Sequence, residues 1–111
     1  MKSIKTLLVA ASALLSVTLF AQEIKTATIK VNGSCGMCKK NIETAAKQPG
    51  VSKAEWNKET HVLTLSYDAA KVNTDSVQKK IAAAGYDTEK FKASEKAYKA
   101  LEECCQYERV P

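Results

Sequence analysis

Two cysteines separated by two residues are the side chains best suited to chemistry in this sequence. Cys35 and Cys38 follow a run that alternates like a β-strand and precede a run with helical spacing. At a helix start, unpaired backbone N–H groups and the helix dipole favour thiolate over thiol. Lys39 and Lys40 add positive charge beside the sulfurs. Two thiolates without nearby oxygen ligands suit Cu(I), Ag(I), Hg(II) or Zn(II), so the motif predicts a soft-metal site with Cys35 and Cys38 as ligands.

A second cysteine pair, Cys104 and Cys105, lies close to the end of the chain. Three roles are open to it: a third or fourth sulfur for the same ion, a second metal site, or disulfide formation. Adjacent thiols cannot readily hold one ion in tetrahedral geometry without backbone strain. We therefore expect at most one of the two to join the primary site.

Hydrophobic periodicity predicts the elements that position these cysteines. Strand, helix, strand, strand, helix and strand follow one another, which is the order of the ferredoxin-like split βαβ fold. We expect an α+β ferredoxin-like βαββαβ sandwich, with an antiparallel four-stranded sheet, two helices on one face and an extra C-terminal helix. The predicted strands are 24–31, 51–56, 62–67 and 86–91, and the predicted helices are 37–48, 74–84 and 93–105.

Three short segments carry a resemblance to a known family. They are Val-Asn-Gly-Ser-Cys-Gly-Met-Cys at 31–38, Lys-Asn-Ile-Glu at 40–43 and Ala-Gly-Tyr-Asp at 84–87. Together they resemble the heavy-metal-associated (HMA) domain, a family that includes copper chaperones, periplasmic mercury-binding proteins and N-terminal domains of metal-exporting P-type ATPases. The resemblance implies the ferredoxin-like fold, binding of one soft ion by Cys35 and Cys38, and transfer by ligand exchange between partner domains.

One position departs from the family pattern. The family usually has Met two positions before the first Cys, where it packs under the metal loop, and here Gly33 occupies that position. Met37 either takes over this packing or offers a thioether to Cu(I), and packing is the expected role. Tyr86 matches the place where bacterial chaperones of the family carry a Tyr near the loop. It is expected either to shield the site or to be an ordinary half-buried Tyr.

The first 21 residues are typical of a secretory signal peptide. Lys2 and Lys5 precede an apolar run from Leu7 to Phe20, which is shorter than the roughly 20 residues of a spanning helix. An uncleaved membrane anchor is the alternative. We expect export to the periplasm, a domain over 22–92, a helical cysteine-containing tail over 93–111, and no membrane insertion once the signal is removed.

Composition excludes several classes of function. Removal of residues 1–21 lowers the formal net charge from +5 to +3, and no arginine precedes Arg109, so no nucleic-acid partner is expected. The sequence shows no paired carboxylates, no Ser/His/Asp constellation and no Gly-rich phosphate loop, which argues against an enzyme. His61 is the only histidine, and a solvated turn residue is its expected role.

The sequence thus predicts a periplasmic metallochaperone or scavenger. Cu(I) is the first candidate ion, with Hg(II), Ag(I) and Zn(II) as alternatives. The expected partner is a metal-transporting membrane protein or another metal-accepting domain, and the protein is expected to be a monomer or a metal-bridged dimer. Two other interpretations of the Cys-x-x-Cys motif stay open: a small thiol-disulfide oxidoreductase and a structural disulfide.

Overall fold

The computed structural model describes residues 23–109, so the predicted signal peptide over 1–21 lies outside the described residues. Within that range, no helix is long and apolar enough to cross a membrane. Three strands and two helices form the domain, and a tail with a short helix and a 3-10 turn follows. The elements are β1 (Ile24–Lys30), α1 (Gly36–Ala46), β2 (Val51–Trp56), β3 (Val62–Asp68), α2 (Thr74–Ala83), α3 (Glu95–Lys99) and the 3-10 turn Glu103–Cys105.

The sheet is antiparallel, with β3 between β1 and β2. Ile29, Leu63 and Trp56 lie side by side across the three strands and are all buried. This row forms because alternate residues of a strand point to the same face. The hairpin between β2 and β3 is closed by Asn57, whose side-chain oxygen accepts hydrogen bonds from two following backbone amides.

Both helices of the domain bury one stripe against this sheet. In α1 the buried residues are Cys38, Ile42 and Ala46, which are spaced four apart and therefore share one face. In α2, Val77 and Ile81 do the same and join Ile42 in one core. This part of the chain confirms the predicted α+β fold with an antiparallel sheet and packed helices.

The predicted fourth strand over 86–91 is not formed, and the sheet of residues 23–109 has three strands. A single bridge between Val31 and Thr88 is what remains of it. The chain turns at once, because the Thr88 amide donates to the Phe91 carbonyl at 2.8 Å. One residue earlier, the Asp87 amide donates to the Tyr107 hydroxyl at 2.8 Å. Backbone groups that a longer strand would use are therefore taken by this turn and by the tail.

The predicted helix over 93–105 is wrong in its length. Helix α3 ends at Lys99, Glu102 is extended with ψ of 151°, and the 3-10 turn follows. The Gln106 side chain donates to the Leu101 carbonyl at 3.1 Å and so satisfies a carbonyl that the broken helix leaves unpaired. The break reverses the chain, so that Tyr98 and Tyr107 pack edge to face with ring centroids 5.1 Å apart.

A clamp of polar contacts holds the tail on the domain. Arg109 makes a two-point contact with the Asp87 carboxylate, at 3.0 and 2.7 Å, and also donates to the Ala93 carbonyl at 2.7 Å. The Tyr107 hydroxyl donates to the Gly85 carbonyl at 2.9 Å. A two-point contact between guanidinium and carboxylate fixes orientation as well as distance. The tail is consequently seated in one position beside the end of α2.

Candidate metal centre

The first two sulfurs lie where β1 runs into α1. Cys35 is the N-cap of α1, with extended backbone angles of φ −141° and ψ 178°, and no side chain caps the helix. Cys38 lies in the first helical turn and is fully buried, whereas Cys35 is half-buried. The two Sγ atoms are 3.4 Å apart. The structure therefore brings the two predicted ligands together on one side of the loop.

A third sulfur joins them from the tail. The Sγ atom of Cys105 lies 3.6 Å from that of Cys35, and Cys105 is fully buried. Among residues 23–109, Cys35, Cys38 and Cys105 form a group whose sulfurs all lie within 4.8 Å of one another. The four cysteines are free thiols in this structure. The cluster presents three sulfur donors and no oxygen donor from a carboxylate.

The tail reaches the loop through Ser34. Its hydroxyl donates to the Cys104 carbonyl at 2.7 Å, and the same oxygen lies 3.6 Å from the Cys38 sulfur. The buried Tyr86 accepts a hydrogen bond from the Asn41 side chain at 3.0 Å, and its hydroxyl interacts with the Cys105 thiol. Tyr86 thus lies in the core beside the cluster instead of being half-buried. The hydroxyl groups of Ser34 and Tyr86 therefore both contact the cysteine cluster.

Hydrogen bonding and burial shift the pKa values of two of the three thiols, Cys35 and Cys105, in opposite directions. Burial acts to raise the pKa of Cys35, but hydrogen bonds from the backbone and side chain of Cys38 and from the tail thiols outweigh it and lower that pKa to about 6. Burial raises the pKa of the Cys105 thiol. The cluster is therefore arranged to hold Cys35 as a thiolate at neutral pH and Cys105 as a thiol that donates to it.

Lys39 does not supply the charge expected of it beside the sulfurs. Its ammonium group contacts the Glu43 carboxylate at 2.7 Å and donates to the Trp56 carbonyl at 2.9 Å. The positive charge is paired there. Stabilisation of the Cys35 thiolate comes instead from hydrogen bonds with Cys38 at the start of α1 and with the tail thiols.

Met37 does not pack under the loop, and that expectation is wrong. Its side chain is 47% exposed, and its sulfur lies 4.0 Å from the Sγ of Cys104, which is also exposed. The Sγ of Cys104 lies 3.9 Å from the Sγ of Cys105, but Cys104 is not a member of the three-sulfur group. The two outer sulfurs form an exposed pair next to the cluster.

Trp56 fills the space under the loop. It is fully buried, and its indole N–H donates to the Val31 carbonyl at 2.9 Å. A Cβ added to Gly33 would lie 2.9 Å from Cη2 of this ring and 3.2 Å from Cδ1 of Ile42. The glycine is thus required by the size of the tryptophan. Gly33 and Trp56 are far apart in sequence, so only their contact in the structure shows that Trp56 fills the space expected for a Met at position 33.

His61 packs on Trp56. It has a positive φ of 62° in the hairpin and stacks on Trp56, with ring centroids 5.6 Å apart. It is not part of the group of possible metal ligands within residues 23–109.

Comparison with known proteins agrees with this geometry. The heavy-metal-associated domain matches residues 28–87. The chain belongs to the heavy-metal-associated domain family. This confirms the resemblance carried by the loop, the following helix and the segment at 84–87. The tail cysteines lie outside the matched residues, so the third sulfur of the cluster comes from a part of the chain beyond the match.

Several relatives of this heavy-metal-associated domain are close in sequence and fold. The copper chaperone CopZ of Staphylococcus epidermidis is 39% identical over 61 residues, which is 53% of this chain and 90% of the relative. MerP from Ralstonia metallidurans, solved in its oxidised form, is 32% identical, with a TM-score of 0.57 over 60% of this chain and 96% of the other. The water-soluble region of the P-type ATPase CopA from Bacillus subtilis is 34% identical, with a TM-score of 0.57 over 62% of this chain and 47% of the other.

Proposed function

We propose that this heavy-metal-associated domain is an exported carrier for one soft metal ion. Cys35 and Cys38 bind the ion, and the protein passes it to a metal-transporting membrane protein or another metal-accepting domain. The observation that carries the proposal is the sulfur cluster at the start of α1, in which three Sγ atoms lie within 4.8 Å of one another.

The donor set determines the class of ion. Thiolates favour soft or borderline ions, and hard ions such as Ca(II) and Mg(II) need oxygen ligands that this cluster does not offer. Cu(I) is the first candidate, because a relative with 39% identity is a copper chaperone. Hg(II), Ag(I) and Zn(II) accept the same ligands and are the alternatives.

The position of Cys35 supports transfer rather than storage. It is half-buried at the N-cap of α1, and hydrogen bonds lower its pKa to about 6, so its sulfur is both accessible and ionised at neutral pH. A partner thiolate can therefore approach the ion from this side and replace one ligand at a time. A P-type ATPase soluble region has a similar fold, which supports a transporter domain as the acceptor.

Export is the part of the proposal that rests on sequence alone. Residues 1–21 have the basic start and short apolar run of a signal peptide. We expect the protein in the periplasmic fraction, with its N-terminus near Gln22 by mass spectrometry. Recovery of the uncleaved chain from the cytoplasm would contradict export and would leave the metal-binding part to be judged separately.

A transfer assay tests the carrier function. The Cu(I)-loaded protein is mixed anaerobically with the apo form of a heavy-metal-associated domain from a P-type ATPase, the two are separated by ion exchange, and copper is measured in each. We expect copper on the acceptor within minutes, and none carried over from Cys35→Ser. Copper that stays with the wild-type donor, under conditions where a small-molecule chelator can remove it, would refute the proposal.

A thiol-disulfide oxidoreductase is the second candidate, since Cys35 is acidic and its sulfur lies 3.4 Å from that of Cys38. Insulin reduction with dithiothreitol separates the two functions. The carrier proposal expects no rate above the uncatalysed background. A rate that depends on Cys35 and Cys38, in a protein that does not retain Cu(I), would favour the oxidoreductase.

A further inference from the structure

The tail places a sulfur in the cluster that the matched domain does not contain. Cys105 is fully buried and its Sγ lies 3.6 Å from that of Cys35. The family match ends at residue 87, and the 3-10 turn Glu103–Cys105 follows after α3. From the contacts below, we infer that Cys105 is the third metal-binding thiolate, so that the ion is held by three sulfurs and not by two. This inference rests on the proposed function.

Distances between the sulfurs favour three ligands. If a metal–thiolate bond is taken as about 2.3 Å, as for Zn(II), two sulfurs on opposite sides of a linear ion stand about 4.6 Å apart. Three sulfurs around a planar trigonal ion stand about 4.0 Å apart on the same basis. The Cys35 and Cys38 sulfurs are 3.4 Å apart and would have to separate by roughly 1.2 Å for a linear ion but only by about 0.6 Å for a trigonal one. The Cys35–Cys105 separation of 3.6 Å fits the trigonal arrangement better still.

The segment that carries Cys105 is fixed before any metal arrives. Ser34, next to the first ligand, donates to the Cys104 carbonyl at 2.7 Å. Beyond the cysteine, the Tyr107 hydroxyl donates to the Gly85 carbonyl and accepts from the Asp87 amide, at 2.9 and 2.8 Å. Arg109 then locks the tail to the buried Asp87 carboxylate. Because the tail is already ordered, binding does not have to offset the entropy of closing a loop of about 70 residues.

Its neighbour Cys104 has no comparable place. It is exposed, its Sγ lies 4.0 Å from the Met37 sulfur, and it is outside the three-sulfur group. The two adjacent cysteines therefore differ sharply in position, which makes Cys104→Ser a matched control for Cys105→Ser. Both substitutions replace one thiol by one hydroxyl in the same 3-10 turn.

X-ray absorption on the Cu(I)-loaded full chain counts the sulfurs bound to the ion. We expect three in the wild type, three in Cys104→Ser and two in Cys105→Ser. Chelator competition is expected to show at least about a tenfold loss of Cu(I) affinity in Cys105→Ser. Removing a residue that only orients a metal ligand already costs about tenfold in affinity, and removing the ligand itself should cost no less. Cys104→Ser is expected to match the wild type.

Several outcomes would overturn the inference. The inference fails if two sulfurs are bound to the ion in the wild type or in Cys104→Ser, or if three are bound in Cys105→Ser. Sedimentation of the loaded protein identifies a metal-bridged dimer, and a three-sulfur dimer that persists in Cys105→Ser would also overturn it. If Cys105→Ser does not fold, the wild type and Cys104→Ser still decide the question. A wild type that binds Cu(I) tightly with two sulfurs refutes only the third ligand, whereas one that binds no Cu(I) refutes the proposed function itself.

Discussion

Adding one methyl group at Gly33 is expected to destabilise the fold through the packing under the metal loop. A Cβ there would lie 2.9 and 3.0 Å from two ring atoms of Trp56, and 3.2 Å from Cδ1 of Ile42. Favourable carbon contacts lie at about 3.5–4.0 Å, so these groups must move by several tenths of an ångström. Trp56 cannot move freely, because it is fully buried and its indole N–H is bonded to the Val31 carbonyl.

The size of the effect follows from two opposing contributions. Overpacking of a buried site costs about 1–3 kcal/mol. Replacement of Gly by Ala also restricts the unfolded chain, which returns about 0.4–1 kcal/mol. We therefore expect Gly33→Ala to lower the free energy of unfolding by about 1–2 kcal/mol. For a domain of this size, that corresponds to a decrease in Tm of roughly 4–16 °C.

Urea and thermal unfolding of the reduced, metal-free protein measure this change. Gly36→Ala is the matched control, because nothing lies within 4 Å of a Cβ added there and the position is helical. It is expected to be neutral or to stabilise by up to about 1 kcal/mol. Trp56→Phe removes the crowding ring atoms, so Gly33→Ala should cost about 1 kcal/mol less in that background. A Gly33→Ala protein as stable as the wild type, or fully additive changes, would refute the packing explanation.

Three further predictions concern the tail and the acidic thiol. Burial acts to raise the pKa of the Asp87 carboxyl, but hydrogen bonds from Arg109 and from the Ala93 amide outweigh it and lower that pKa below its usual range. The stabilisation of the fold by the ionised Asp87 is therefore complete above about pH 5 and is lost as the pH falls through the lowered pKa. Arg109→Gln should therefore cost about 1.5–3 kcal/mol at pH 7 and less at pH 3, by urea unfolding, and an equal cost at both would contradict the clamp. Pulsed alkylation of the metal-free protein should show the reaction rate of Cys35 rising with a midpoint near pH 6. The midpoint for Cys104 should be much higher, because contact with the Cys35 thiolate raises the pKa of Cys104. Equal midpoints for the two thiols would contradict this assignment. Ser34→Ala should speed hydrogen exchange in residues 103–107, because it removes the hydrogen bond to the Cys104 carbonyl. The control Ser52→Ala removes a hydrogen bond to the Ser66 carbonyl and should leave exchange in 103–107 unchanged. Unchanged exchange in Ser34→Ala would show that Ser34 does not hold the tail.

The domain was predictable because its residues give local and periodic signals. Alternation in β1 and β3 and the four-residue spacing of Cys38, Ile42 and Ala46 determine which faces are buried. The position of Cys35 and Cys38 between strand and helix was visible for the same reason. These patterns depend on neighbours in sequence, so the sequence alone carries them.

The parts that failed depend on contacts between distant residues. The fourth strand was expected from residues 86–91, but the amide of Asp87 pairs with Tyr107, twenty residues away. The long C-terminal helix was expected from periodicity alone, and the chain instead reverses so that Tyr98 packs on Tyr107. Neither partner is marked by any local pattern.

The site shows the same division. Met37 was expected to pack under the loop, yet Trp56 occupies that space and Met37 faces solvent. Sequence reasoning left open which tail cysteine, if either, would approach the loop, and the clamp of Arg109 on Asp87 brings Cys105 there.

Anaerobic titration of the reduced protein with Cu(I), Hg(II) and Zn(II), each against a competing chelator, shows whether Cys35 and Cys38 bind one soft metal ion. We expect one tightly bound Cu(I) or Hg(II) ion per chain and weaker binding of Zn(II). Tight binding should be lost in Cys35→Ser and Cys38→Ser and fully retained in Cys104→Ser. Absence of tight binding by the wild type, or tight binding that survives Cys35→Ser unchanged, would contradict it.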